Sequence, residues 1–164
     1  MPVKNKAGLK NNPVPRYLSG DFFNFKKLEH IQRYTFKRDE KLKSRKAIGH
    51  LFKTGKQFSN FPFKILWMYN EAATSSLQTG FAVSSKHFKN AVDRNRVKRL
   101  MREAYRLQKN ELQSQLIKNN KQVSVFFIYV GNELPKYDFI FEKTGNVLKR
   151  LSKILTDQQL NENN

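Results

Sequence analysis

The chain has 164 residues, with 38% hydrophobic and 13% aromatic side chains, enough apolar material for one compact domain with a tail and too much for a wholly disordered chain. Its 32 Lys and Arg against 13 Asp and Glu give a formal net charge of +19, which repels itself in the folded state and draws in polyanions, nucleic acid first among them. The absence of cysteine excludes disulfides and Cys-based zinc sites.

Residues 1–34 read as a basic extension. Pro2, Pro13 and Pro15 interrupt regular structure, Lys4, Lys6 and Lys10 add charge, and Phe22, Phe23 and Phe25 form an aromatic cluster. The spacing of Leu42, Ile48, Leu51 and Phe52 predicts a helix over 39–54, stopped at Gly55. Phe63–Tyr69 is rich in strand formers, the polar stretch Asn70–Gln78 reads as a hairpin loop, and Thr79–Ser84 is the returning strand. Ser85–Val92 is a connector. A strong helix is expected over 94–116, and Gln122–Val130 ends in an almost continuously apolar run, the pattern of a central strand covered on both faces. A last helix starts near Asp138 and carries Val147, Leu148, Leu151, Ile154 and Leu155; a polar tail, 157–164, follows the domain at 35–156. The order helix, strand, strand, helix, strand, helix, with a strand–helix–strand unit beside a hairpin, predicts an α+β fold.

The chemistry concentrates in Asp93-Arg-Asn-Arg-Val-Lys-Arg-Leu-Met-Arg-Glu-Ala-Tyr-Arg106. At about 100° per residue, Val97, Leu100, Met101, Ala104 and Leu107 fall on one arc. Lys98, Arg99, Arg102 and Arg106 fall opposite, with Asn95 among them, and Arg94 and Arg96 flank that face at the first turn. Guanidinium forks on a rigid rod suit phosphates, and the helix N-terminus adds backbone N–H donors. A merely solvated face would carry carboxylates at four-residue spacing, and only Asp93 and Glu103 dilute this one.

His30, His50 and His87 sit in separate segments without a carboxylate pattern around them, so no catalytic residue is assigned. No apolar run reaches the ~18 residues of a membrane helix, and Met1–Lys10 lacks the apolar stretch of a secretory signal; a soluble, cytoplasmic protein without membrane partner or small-molecule cofactor is the expectation.

Gly80-Phe-Ala-Val-Ser84, then Lys86, then Asn90-Ala-Val-Asp-Arg-Asn-Arg-Val-Lys-Arg-Leu-Met-Arg-Glu-Ala-Tyr-Arg106, resembles the signature of the bacterial ribonuclease P protein family. The resemblance extends more weakly over about 36–155, and Lys53-Thr-Gly55 resembles the end of that family's first helix. Two departures stand out. The connector Ser85–Asn90 has no glycine where the family usually has one, and Ile48 occupies one of two positions on the first helix that are usually aromatic, Phe52 being the other.

The resemblance implies a fold like the second domain of ribosomal protein S5, with a left-handed strand–helix–strand crossover. It implies that chemistry resides in an RNA subunit that requires Mg²⁺, and that the partners are this catalytic RNA and precursor tRNA. Lys86, Arg94, Asn95, Arg96, Lys98, Arg99, Arg102 and Arg106 would bind RNA. Ile48, Phe52 and Trp67 are the candidates for the single-stranded 5′ leader, because bases stack on aromatic faces without sequence preference. The competing readings are a ribosomal or other structural RNA-binding protein, and a stand-alone metal-dependent nuclease, which would need carboxylates converging on a pocket.

Overall fold

The structure, a computed structural model, describes residues 34–162, with side chains to residue 158. All of the extension but Tyr34, its aromatic cluster and His30 included, lies outside the described residues. Along the chain follow α1 (Arg45–Thr54), β1 (Lys56–Asn60), β2 (Phe63–Tyr69), β3 (Leu77–Val83), α2 (Ala91–Gln108), α3 (Asn110–Lys118), β4 (Val123–Tyr129) and α4 (Tyr137–Glu162).

The strands form one mixed sheet in the order β1-β2-β4-β3. β1 and β2 are antiparallel, Lys56 facing Trp67 and Asn60 facing Phe63. β2 is antiparallel to β4, and β3 runs parallel to β4 in the register Gly80↔Phe126 and Val83↔Tyr129. The parallel pair needs a crossover, and α2 and α3 supply it. The fold is therefore α+β, with β4 as the expected central strand.

The expected hairpin between β2 and β3 is corrected. β4 inserts between them, and the hairpin is β1–β2. β1 escapes a hydrophobic reading because it is an edge strand, polar apart from Phe58. From α4, the Arg150 guanidinium lies 4.8 Å from the centre of the Phe58 ring and donates to Ser59 O at 2.9 Å, clamping that edge.

Period-two alternation divides the sheet into two faces. The inner face, with Phe63, Ile65, Trp67, Val125, Phe127 and Tyr129, packs on Val97, Met101, Ala104 and Tyr105 of α2 and on Ile140, Val147, Leu151 and Leu155 of α4. The outer face, with Leu66 and Phe126, packs with Leu42 and with Leu51 of α1.

Three further element boundaries differ from expectation. α1 starts at Arg45, because Ser44 caps it by accepting from Ala47 N at 3.4 Å, while Leu42 N donates to Thr79 O and Thr79 N donates to Glu40 O, making residues 40–42 an extended bridge to β3. The long helix after the connector breaks at Lys109, whose helical φ of −68° and ψ of −21° barely interrupt the spiral; no Gly or Pro marks the site. α4 runs on through the polar residues after Leu155, since nothing between Thr156 and Glu162 forbids helix. No helix among the described residues is long and apolar enough to cross a membrane.

Candidate nucleic-acid interface

α2 buries Val97, Met101, Ala104 and Tyr105, while Leu100 and Leu107 of the expected stripe are only half-buried. Tyr105 lies outside the apolar arc read from the sequence. It is fully buried, accepting a hydrogen bond from Thr79 Oγ1 at 2.7 Å. Burial is the first cause that drives its phenol pKa well above the ordinary value.

The opposite side of α2 presents Asn95, Arg96, Arg99 and Arg102 to solvent, with Lys98 half-exposed beside them. Two predicted members of this set have internal duties. Arg94 Nη1 donates to Phe88 O at 2.8 Å and Lys89 O at 2.6 Å, so its guanidinium clasps the connector onto the helix. Arg106 pairs with Glu103 at 2.5 Å and also donates to Tyr34 O. The hydrogen bond from Arg106 is the first cause holding the Glu103 carboxyl below the usual carboxylate range, and Glu103 correspondingly raises Arg106. Lys86 is exposed in the turn after β3, at the end of the sheet where α2 begins.

On the outer face of the sheet a second feature assembles. Phe52 projects from α1, 49% exposed, and meets Phe126 of β4 edge to face at a centroid distance of 5.3 Å. Ile48, half-buried, joins the same cluster with Met68, Ala82 and Ile128. The Phe126 ring fits there because residue 80, its partner on β3, is glycine; a Cβ at Gly80 would stand 2.4 Å from ring atoms. Lys64 lies on this face beside Ile128, and Lys53 is exposed on α1. The result is an apolar floor with cations at its margins.

Trp67 does not belong to this cluster. It is 2% exposed and shares its face with Phe63 and Ile65, pointing into the main core on the side of the sheet away from α1. As a leader-binding candidate it is corrected to a core residue. Phe126, which sequence reasoning missed, takes the place beside Phe52. Its role depends on the parallel register with Gly80, and no local pattern announces that register.

Among the described residues no three His, Asp or Glu side chains are grouped so as to hold a metal ion. His50, on the exposed side of α1, lies within 3.5 Å of Thr54 Oγ1, and His87 is exposed in the connector.

The family described as Ribonuclease P matches residues 36–152. The ribonuclease P protein component of Porphyromonas gingivalis is 38% identical over 103 residues, covering 61% of this chain and 74% of that protein. That of Chlorobaculum tepidum is 35% identical over 124 residues, covering 70% and 80%. Among solved structures, the ribonuclease P protein of Thermotoga maritima superposes with a TM-score of 0.55 at 28% identity, covering 68% of this chain and 96% of that one. The Staphylococcus aureus protein shares the fold, with a TM-score of 0.56 at 22% identity. By the breadth of the family match, residues 36–152, the chain belongs to the ribonuclease P protein family.

Proposed function

We propose that this subunit of ribonuclease P grips the catalytic RNA through the exposed face of α2 and receives the 5′ leader of precursor tRNA on the floor between α1 and the sheet. The observation that carries the first half is the solvent-facing set Asn95, Arg96, Lys98, Arg99 and Arg102 on one rigid helix. Such a set offers planar donors at fixed spacing to successive phosphates. Arg94 and Arg106 support it from inside, one by fixing the connector that carries Lys86 and the other through Glu103.

The second half rests on Phe52 and Phe126. An exposed ring held edge-on by a buried one presents a face for an unpaired base, and Lys53 and Lys64 can neutralise the adjoining phosphates. Ile48 contributes wall rather than platform. In this reading the hydrolytic chemistry, with its Mg²⁺, belongs to the RNA subunit in the cytoplasm, and the chain supplies charge and position. Cations placed against RNA offset phosphate repulsion that metal ions would otherwise screen.

The test is reconstitution with a bacterial-type catalytic RNA. The chain alone should leave precursor tRNA intact, and adding it to the RNA should raise processing at low Mg²⁺. Multiple-turnover cleavage by RNA-free protein would overturn the assignment.

A further inference from the structure

The segment leading into α1 carries cations that neither face accounts for. Residues 40–42 are extended, and their orientation is fixed on two sides. Leu42 N donates to Thr79 O at 3.1 Å and Thr79 N donates to Glu40 O at 2.8 Å. Leu42 and Glu40 turn inward and are buried, while Lys41 and Lys43 turn outward and are exposed. The Glu40 carboxylate is held from the far side by Lys109. The two lysines therefore project from a pinned strand rather than a loose linker.

That strand lies across from α2. Lys41 and Lys43 line one open depression together with Arg99, Arg102 and Arg106. Glu103, also in its wall, is matched by Arg106, and among the described residues no carboxylate pairs with the other four cations. Lys41 is further steadied by the Phe36 ring, 5.4 Å from its ammonium. Four unneutralised cations facing one concavity repel one another, and an anion between them relieves that repulsion.

We propose that Lys41 and Lys43 form, with Arg99 and Arg102, a two-sided binding site for RNA backbone phosphate. The site extends the α2 grip toward α1 and so toward the leader floor. It rests on reading α2 as an RNA-binding face, and it adds a second bank to that face. Because the strand that carries the lysines is already pinned, less backbone freedom is lost on binding than for lysines on a flexible tail. The phosphate comes from the catalytic RNA or from the precursor tRNA, and the two arms of the experiment separate these sources.

The experiment uses the full chain carrying Lys41→Gln/Lys43→Gln. One arm measures its affinity for the catalytic RNA, the other the affinity of the assembled holoenzyme for precursor tRNA, each between 50 and 200 mM salt. Each lost phosphate contact should lower the slope of log affinity against log salt by roughly 0.7–0.9. Two lost contacts make the variant less salt-sensitive than wild type by on the order of eightfold across that range, in the arm whose RNA occupies the site. Lys41→Arg/Lys43→Arg should keep the wild-type slope. Lys118→Gln/Lys149→Gln, removing equal charge from α3 and α4, should leave it unchanged. Unchanged slopes for Lys41→Gln/Lys43→Gln in both arms, or an equal fall in the α3/α4 control, overturn the proposal. If Arg99→Gln/Arg102→Gln also leaves both slopes unchanged, the α2 reading fails with it; if only the arginine pair matters, the second bank alone is wrong.

Discussion

Glu40 and Lys109 form an ion pair at 2.5 Å with both side chains buried, joining the strand before α1 to the break between α2 and α3. Gln113 completes the network, accepting from Lys109 Nζ at 2.9 Å and donating to Glu40 Oε1 at 3.2 Å, and Lys37 N donates to the second carboxylate oxygen at 2.7 Å. Taking two charges out of water is costly, and the return in stability is small even when they pair well. What the pair adds is orientation: it fixes Lys41 and Lys43 relative to Arg99 and Arg102. Glu40→Gln alone leaves a buried ammonium without its counter-charge and should cost about 3–5 kcal/mol of stability in urea unfolding. Glu40→Gln/Lys109→Met should recover most of that loss, and one charge of each sign is removed, so the net charge stays at +19. Catalytic-RNA affinity of this double variant should nevertheless fall. Wild-type affinity with wild-type stability would show that the pair does not position the lysines.

The α2 face gives a graded expectation. Arg96→Gln, Lys98→Gln, Arg99→Gln and Arg102→Gln should each lower catalytic-RNA affinity and its salt slope, by roughly one unit or less, with melting temperature unchanged. Met101→Ala should do the reverse, losing about 2–5 kcal/mol of stability because its side chain is 1% exposed. Arg94→Gln should do some of both, since its bonds to Phe88 O and Lys89 O hold the connector. Identical binding by the four surface variants and wild type at two salt concentrations would remove α2 from the interface.

The α2 face was legible because helical periodicity is local: one apolar and one cationic arc can be read within 14 residues. β4 was legible as a central strand for the same reason, its run being apolar on both faces. Strand order was not, because whether β3 returns beside β2 or beyond β4 depends on pairings across more than 40 residues. The Phe52–Phe126 contact and the burial of Trp67 follow from that order. Trp67 is in phase with Phe63 and Ile65, which the sequence displays, but only the sheet's packing decides which phase faces α1. The buried Glu40–Lys109 pair was hidden for another reason. Charged residues are rarely internal, and nothing local distinguishes Lys109 from the surface lysines around it.

Tyr105 predicts a response to alkali. Its pKa is raised in the folded protein, chiefly by burial, from the ordinary phenol value near 10. The unfolded chain therefore releases the proton first. The contribution of the buried phenol is fully present below about pH 10 and is lost as pH rises toward the folded pKa. Unfolding free energy should thus decline above pH 10, and Tyr105→Phe should decline less steeply. At neutral pH the same variant should lose about 1 kcal/mol, because Thr79 Oγ1 no longer has its acceptor. Parallel pH profiles for the variant and wild type would assign the alkaline loss to other groups.

The leader floor makes the most discriminating set of predictions, because Phe52 and Gly80 within it and Trp67 on the opposite side of the sheet should fail in three different ways. Phe52 is half-exposed and contributes little to the core, so Phe52→Ala should leave the melting curve nearly unchanged. It should weaken holoenzyme binding of leader-bearing precursor tRNA by about 1–3 kcal/mol, the value of one base–aromatic stack, and spare leaderless tRNA. Trp67 is core, so Trp67→Ala should cost about 3–5 kcal/mol of stability, and any affinity loss should be equal for the two RNAs. Gly80→Ala tests the geometry beneath Phe52. The added methyl would meet the Phe126 ring at 2.4 Å and displace it from its place beside Phe52, disturbing the platform without removing any group that touches RNA. Its loss should again be selective for the leader, accompanied by a moderate drop in stability of about 1–3 kcal/mol from overpacking. Gly80→Ala/Phe126→Leu, which shrinks the ring in compensation, should restore stability but not leader selectivity, because the edge-on support of Phe52 is then missing. Equal losses for leader-bearing and leaderless RNA in Phe52→Ala and Gly80→Ala alike would mean that the floor between α1 and the sheet does not receive the leader.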